Sequence, residues 1–81
     1  MDWKAIVGGN VRRLRLERGL TQEQVAFDAG IDLTYQGGIE RGKRNPSLSV
    51  MARLSEALQV NIIELFALHE VPSNSSNNSS G

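Results

Sequence analysis

Thr21 to Pro46, TQEQVAFDAGIDLTYQGGIERGKRNP, decides the fold. Thr21 followed three residues later by Gln24 is a capping-box spacing, and it opens a helix just before Val25, Ala26 and Ala29. Gly30 stops that helix, because glycine readily takes the left-handed conformation that closes one, and Asp32 is placed to cap the next. Two helices separated by so short a turn must meet at a steep angle, which is the layout of a helix-turn-helix. The second helix runs from Asp32 to Arg41. At about 100° per residue it turns Ile39 inward with Tyr35 and Gln36 beside it. Leu33, Thr34, Gly37, Gly38 and Arg41 are left on the other side as the candidate reading face for DNA.

Upstream, Trp3, Val7, Val11 and Leu14 recur at helical spacing, predicting an amphipathic helix from about Asp2 to Arg18 that ends at Gly19. Gly8 and Gly9 weaken its beginning. Downstream, RGKRNPS is a connector: Gly42 ends the reading helix and Pro46 disfavours helix at Asn45. Ser47 then caps a fourth helix with Leu48, Met51, Leu54, Ser55 and Leu58 inward. Asn61 with Glu64 repeats the capping signal for a short fifth helix, whose Ile62, Leu65 and Phe66 close the core. The expectation is an all-α fold of five helices, with one domain over residues 1–71. A disordered tail is expected over 72–81, since SNSSNNSSG contains nothing apolar to offset its ordering entropy.

The 81 residues allow one modest core, so partner binding or dimerisation is expected to matter to stability. There is no cysteine, which removes disulfides, thiolate metal sites and a cysteine nucleophile. The N-terminus lacks the apolar run of a signal peptide, and no stretch approaches the roughly 18 apolar residues of a membrane span. A cytoplasmic protein without membrane association is expected. Nine basic and nine acidic side chains balance to zero, but eight of the cations lie before Asn45, while Glu56, Glu64 and Glu70 follow it with only Arg53 against them. One end is basic and the other acidic. Overall neutrality predicts weak non-specific affinity for DNA, while local cations still release phosphate counterions.

The RLRLERGLTQEQVA stretch, the AGI turn, the IERGKRNPS exit and the LxxLSEALQV helix stand in the order and spacing of a known family. Over roughly Val7 to Phe66 the chain resembles the lambda-repressor-like, Cro-type helix-turn-helix regulators, also called the xenobiotic-response-element family, and it is similar to the controller proteins of restriction-modification systems. The resemblance implies a five-helix DNA-binding domain with its helix-turn-helix at helices 2 and 3. It places Leu33, Thr34, Gly37 and Gly38 where relatives reach base edges, and Gln22, Arg41, Lys43, Arg44 and Asn45 where they contact phosphates. Arg15 and Glu40 match a semi-buried salt bridge tying the first helix to the third.

Three departures from that pattern bear on function. The family often has a polar residue where this chain has Leu33, and side chains where it has Gly37 and Gly38. Hydrogen-bond readout is therefore thin, leaving Leu33 and the Thr34 methyl to meet thymine methyls, the Thr34 hydroxyl to bond a base, and two glycines to let the helix backbone sit deep in the groove. Specificity then leans on DNA shape. Gln36 stands where an apolar residue is common: either a buried hydrogen bond satisfies it, or Tyr35 rolls inward and Gln36 tilts toward DNA.

Phe27 points away from the Val25, Ala26, Ala29 face, and with Glu23 and Asp28 it marks where some relatives touch RNA polymerase. Ile63, Phe66 and Ala67 are the expected dimer interface, making a symmetric homodimer. No cofactor, metal or small-molecule ligand is expected, and His69, with no second histidine or cysteine near it, is assigned no chemistry. The expected function is a dimeric DNA-binding regulator, a repressor or an activator. The competing expectation is a protein-interaction module that uses the Leu33, Gly37, Gly38 surface without reading DNA. Catalysis is not expected, because no nucleophile-base pair, metal cluster or phosphate-cradling loop is present.

Overall fold

Asp2 caps the first helix by accepting the Ala5 amide at 3.2 Å, and α1 runs Trp3–Glu17. The computed structural model describes residues 1–68; the expected tail over 72–81, the domain boundary at residue 71 and His69 lie outside the described residues. α2 is Gln22–Ala29, α3 is Leu33–Glu40, α4 is Leu48–Leu58, and a 3-10 helix follows at Ile62–Phe66. No strand occurs among the described residues. Each start has a local cause: the Thr21, Asp32, Ser47 and Asn61 side chains accept amides from the first turns of α2, α3, α4 and the 3-10 helix respectively.

The last element is a correction to the expected fifth α-helix. The Asn61 carboxamide caps the amide only two residues on, at 3.0 Å, and the exit amide of Ala67 bonds Glu64 three residues back at 3.3 Å. Five residues under such tight bonding stay a 3-10 turn. It still delivers Leu65 to the core, fully buried, with Ile62 and Phe66 packed partly against it.

Val7, Val11 and Leu14 of α1, Val25 and Ala29 of α2, Ile39 of α3, and Val50, Leu54 and Leu58 of α4 complete the apolar centre. Leu48, expected inward, is 67% exposed. It is the first residue of α4 and lies about 90° around the helix from the Leu54 and Leu58 stripe, so Val50 takes the inward place. Trp3 is also half exposed, its ring meeting that of Phe66 edge-on with the centroids 6.1 Å apart.

Gly8 does more than weaken α1. It is buried where α1 crosses the C-terminal end of α3, and a Cβ there would intrude on the Ile39 carbonyl oxygen and stand 3.1 Å from its carbon. The two backbones touch because the side chain is missing. Asn10 makes a second long-range tie: its Nδ2 donates to the Leu65 and Ala67 carbonyls, both at 2.8 Å, fastening the 3-10 helix to α1. A polar residue inside the Val7, Val11, Leu14 stripe was the visible signal for that bond.

Candidate nucleic-acid interface

The turn between α2 and α3 is built from backbone. Gly30 is left-handed at φ 71°, and the Ile31 amide closes back on the Ala26 carbonyl at 2.9 Å. At the other end of α2 the capping box is complete, with Gln24 N to Thr21 Oγ1 at 3.1 Å and Thr21 N to Gln24 Oε1 at 2.8 Å. Asp32 accepts the Tyr35 amide at 2.8 Å and starts α3 without delay. Leu33 and Thr34 are thereby exposed in the first turn of α3.

The far end of α3 is held by charge. Arg15 grips Glu40 through two parallel bonds, Nε to Oε2 at 2.8 Å and Nη2 to Oε1 at 3.0 Å. Its Nη1 donates to the Leu20 carbonyl at 2.8 Å. Gln22 Nε2 reaches Glu40 Oε1 at 3.1 Å, and Gln36 Nε2 reaches Oε2 at 2.8 Å. One buried carboxylate therefore collects donors from α1, α2 and α3. Burial by itself would raise the Glu40 pKa; the hydrogen bonds from Arg15, Gln36 and Gln22, together with the Arg15 charge, outweigh it and hold the group below its ordinary value.

This network decides between the two arrangements open for Gln36. The side chain is fully buried with its Nε2 bonded to Glu40 and its Oε1 without a partner, and Tyr35 is half buried beside it. Gln36 does not face the groove side.

Beyond α3 the exit loop turns back, with Lys43 N on the Gly38 carbonyl at 2.9 Å, and leaves Arg41, Lys43, Arg44 and Asn45 exposed. Gly37 and Gly38, expected on the open face, are both buried. Their cover is the exit loop itself. A Cβ on Gly37 would stand 3.0 Å from Arg41 Nη1 and 3.7 Å from Gln22 Oε1, and one on Gly38 would stand 2.7 Å from Arg44 Cγ. A helical wheel gives the direction in which a position faces, not which neighbouring arm folds over it.

Elsewhere on the surface, Phe27 is 85% exposed between Glu23 and Asp28. Ile63 is 72% exposed, with Phe66 and Ala67 half buried next to it. Among the described residues no group of three His, Cys, Asp or Glu side chains is placed to hold a metal ion, and no helix is long and apolar enough to cross a membrane.

The sequence pattern of the helix-turn-helix family matches residues 11–65, the segment that carries α2, the turn, α3 and α4. The chain belongs to the XRE-type helix-turn-helix family. It is 45% identical over 65 residues to an uncharacterised HTH-type transcriptional regulator of Sinorhizobium fredii, covering 80% of this chain and 84% of that one. It is 42% identical over 65 residues to the control protein C.SmaI of Serratia marcescens, covering 80% of this chain and 77% of the relative. The crystal structure of the restriction-modification controller protein C.AhdI from Aeromonas hydrophila superposes with a TM-score of 0.76 at 44% identity, covering 78% of this chain and 96% of that one. This XRE-type family is one of DNA-binding transcriptional regulators rather than enzymes.

Proposed function

We propose that the chain is a homodimeric, sequence-specific reader of double-stranded DNA that lays α3 in the major groove at each half of a pseudo-palindromic operator and represses transcription by occupying a promoter. The observation that supports this most is the arrangement of α3. Its first turn is free at Leu33 and Thr34 while its last turn is clamped by the buried Glu40 network. A helix fixed at one end and open at the other presents side chains to base edges in one register. Arg41, Lys43 and Asn45, exposed at its exit, and Gln22 at the start of α2 are the proposed phosphate contacts, the second N–H of Gln22 Nε2 remaining after its bond to Glu40.

Selection of bound fragments from a randomised duplex pool tests the reading. Enrichment of a palindrome with half-sites about one DNA turn apart, near 34 Å, is expected. With that operator in hand, Thr34→Ala is expected to change the preferred base at one position per half-site. Lys43→Ala is expected to weaken every sequence alike and to lower the slope of affinity against salt by about one counterion per protomer. Equal loss across sequences from both changes would undo the division between readers and phosphate contacts.

The exposed Ile63, flanked by Phe66 and Ala67, supports dimerisation through the C-terminal face, since an apolar residue so open on a small domain gains most by being covered by its own copy. Ile63→Glu is expected to give a monomer in sedimentation while leaving the helical content unchanged. Palindrome affinity is expected to fall about a hundredfold or more as bivalent binding is lost. A dimer that survives this change places the interface elsewhere. Phe27 with Glu23 and Asp28 supports a second contact, to a basic surface of a protein such as RNA polymerase, when the dimer sits beside a promoter.

A further inference from the structure

We infer that Arg44 is a base-reading residue, carried back onto the face of α3 along a trough made by Gly38, and that it recognises guanine. The inference rests on the proposal that α3 occupies the major groove. Its place in the chain, four residues beyond the end of α3, suggests only a phosphate contact. The path of its side chain says otherwise. A Cβ on Gly38 would stand 2.7 Å from Arg44 Cγ, 3.5 Å from Nε and 3.7 Å from Cδ, so the whole stem lies flat across that glycine. The guanidinium then rests over the Tyr35 ring, with Cζ 5.7 Å from the centroid.

The arm therefore runs against the chain direction, from the exit loop toward the first turn of α3, and ends over Tyr35, in the same turn as Leu33 and Thr34. That is the part of a recognition helix that approaches base edges. It arrives where the helix itself is poor in donors: Leu33 has none, Gly37 and Gly38 have no side chains, and Gln36 is turned inward to Glu40. A planar guanidinium supplies the fork of donors that fits the O6 and N7 acceptors of guanine, and its cation–π contact with the Tyr35 ring restrains it before DNA arrives. Arg41 follows a shorter route, its Nη1 over Gly37 on the side of Gln22, and stays with the phosphate-contacting group.

The absence of a side chain at Gly38 is then a requirement of readout rather than a tolerated weakness of the helix. A Cβ at that point collides with the stem of Arg44 at Cγ, not with backbone, so alanine there requires the arm to move.

The test is selection from the randomised duplex pool with the full-length wild type, Arg44→Gln, Gly38→Ala, the double variant and Lys43→Gln, followed by titration of the wild-type winner. Arg44→Gln is expected to lose guanine preference at one position in each half-site, with a shift toward adenine and a loss of discrimination on the order of ten- to a hundredfold there. Gly38→Ala is expected to relax the same position although the charge remains, with a melting temperature no lower than wild type. The double variant is expected to be no worse at that position than Arg44→Gln. Lys43→Gln, which removes a cation without touching the trough, is expected to leave the preference profile unchanged. An Arg44→Gln profile identical to wild type, merely weaker, overturns the inference and returns Arg44 to the phosphates. A Gly38→Ala profile identical to wild type overturns the trough. Failure of the wild type to enrich any sequence defeats the DNA-reading proposal itself, and this inference with it.

Discussion

Replacing Gly8 with alanine is expected to destabilise the fold by about 3 kcal/mol or more, whereas the same change at Gly9 is expected to stabilise it by about 0.5 to 1 kcal/mol. The two glycines are neighbours on one helix, and propensity alone gives both substitutions the same favourable sign. What separates them is the other side of the contact. At Gly9 a Cβ meets nothing within 4 Å, so alanine only reduces the freedom of the unfolded chain. At Gly8 it intrudes on the Ile39 carbonyl oxygen, with the Ile39 and Glu40 carbonyl carbons 3.1 and 3.3 Å away. A flexible side chain could rotate aside; the Ile39 carbonyl, which accepts the Gly42 amide at 3.0 Å, cannot without breaking the closing turn of α3. The whole of α1 must retreat from α3, pulling on the Arg15 and Glu40 pair nearby. A chain of this length has a total stability of about 4 to 12 kcal/mol. Such a loss lowers the melting temperature by roughly 12 to 24 °C. Thermal unfolding of the two variants side by side checks the claim, and a Gly8→Ala protein that melts with wild type would show that α1 and α3 do not meet through backbone.

The same residue shows where sequence reading stops. The starts of α2, α3 and α4 could be read from Thr21, Asp32 and Ser47 because a cap is satisfied within three residues of itself. The turn could be read from Gly30 for the same reason, and the sign of the exit loop from Arg41, Lys43 and Arg44. Gly8 is different in kind: its meaning depends on which element passes 31 residues later, and a glycine in a helix looks like a defect until that neighbour is in place. Gly37 and Gly38 fail similarly: periodicity put them on the open face, and it could not say that Arg41 and Arg44 fold back over them and leave both buried. Gln36 was legible as a conflict, a polar residue at an inward position, and its resolution required knowing that the buried Glu40 carboxylate lies within reach of it. Asn10 gave the same kind of signal, with its partners, the Leu65 and Ala67 carbonyls, over fifty residues away.

Glu40→Gln is expected to be the most damaging polar substitution, at about 3 to 5 kcal/mol, because it removes the charge from a buried pair while keeping its shape. Both partners are nearly enclosed, with 10% of the Arg15 side chain and 2% of the Glu40 side chain exposed. The variant strands the Arg15 guanidinium and turns an amide N–H₂ toward groups that are themselves donors: Arg15, Gln22 and Gln36. The pH dependence separates this from a packing effect. In the folded protein burial tends to raise the Glu40 pKa, but the bonds from Arg15, Gln36 and Gln22 prevail and hold it below the ordinary value of 4.5. The unfolded chain therefore takes up the proton first as the solution is acidified. The stabilisation from Glu40 is complete above the unfolded value and is lost as pH falls through the lowered folded one. The difference in melting temperature between wild type and Glu40→Gln is expected to be constant across neutral pH and to shrink below 4.5, with the wild type falling toward the variant. Circular-dichroism melts over that range suffice, and a difference that persists undiminished in acid would mean that the variant's loss comes from its misdirected amide donors and not from the missing charge. The clamp matters beyond stability because it fixes the end of α3 from which the Arg44 arm returns. A Glu40→Gln protein kept folded at low temperature should therefore bind its operator with a blurred base preference rather than with uniformly reduced affinity.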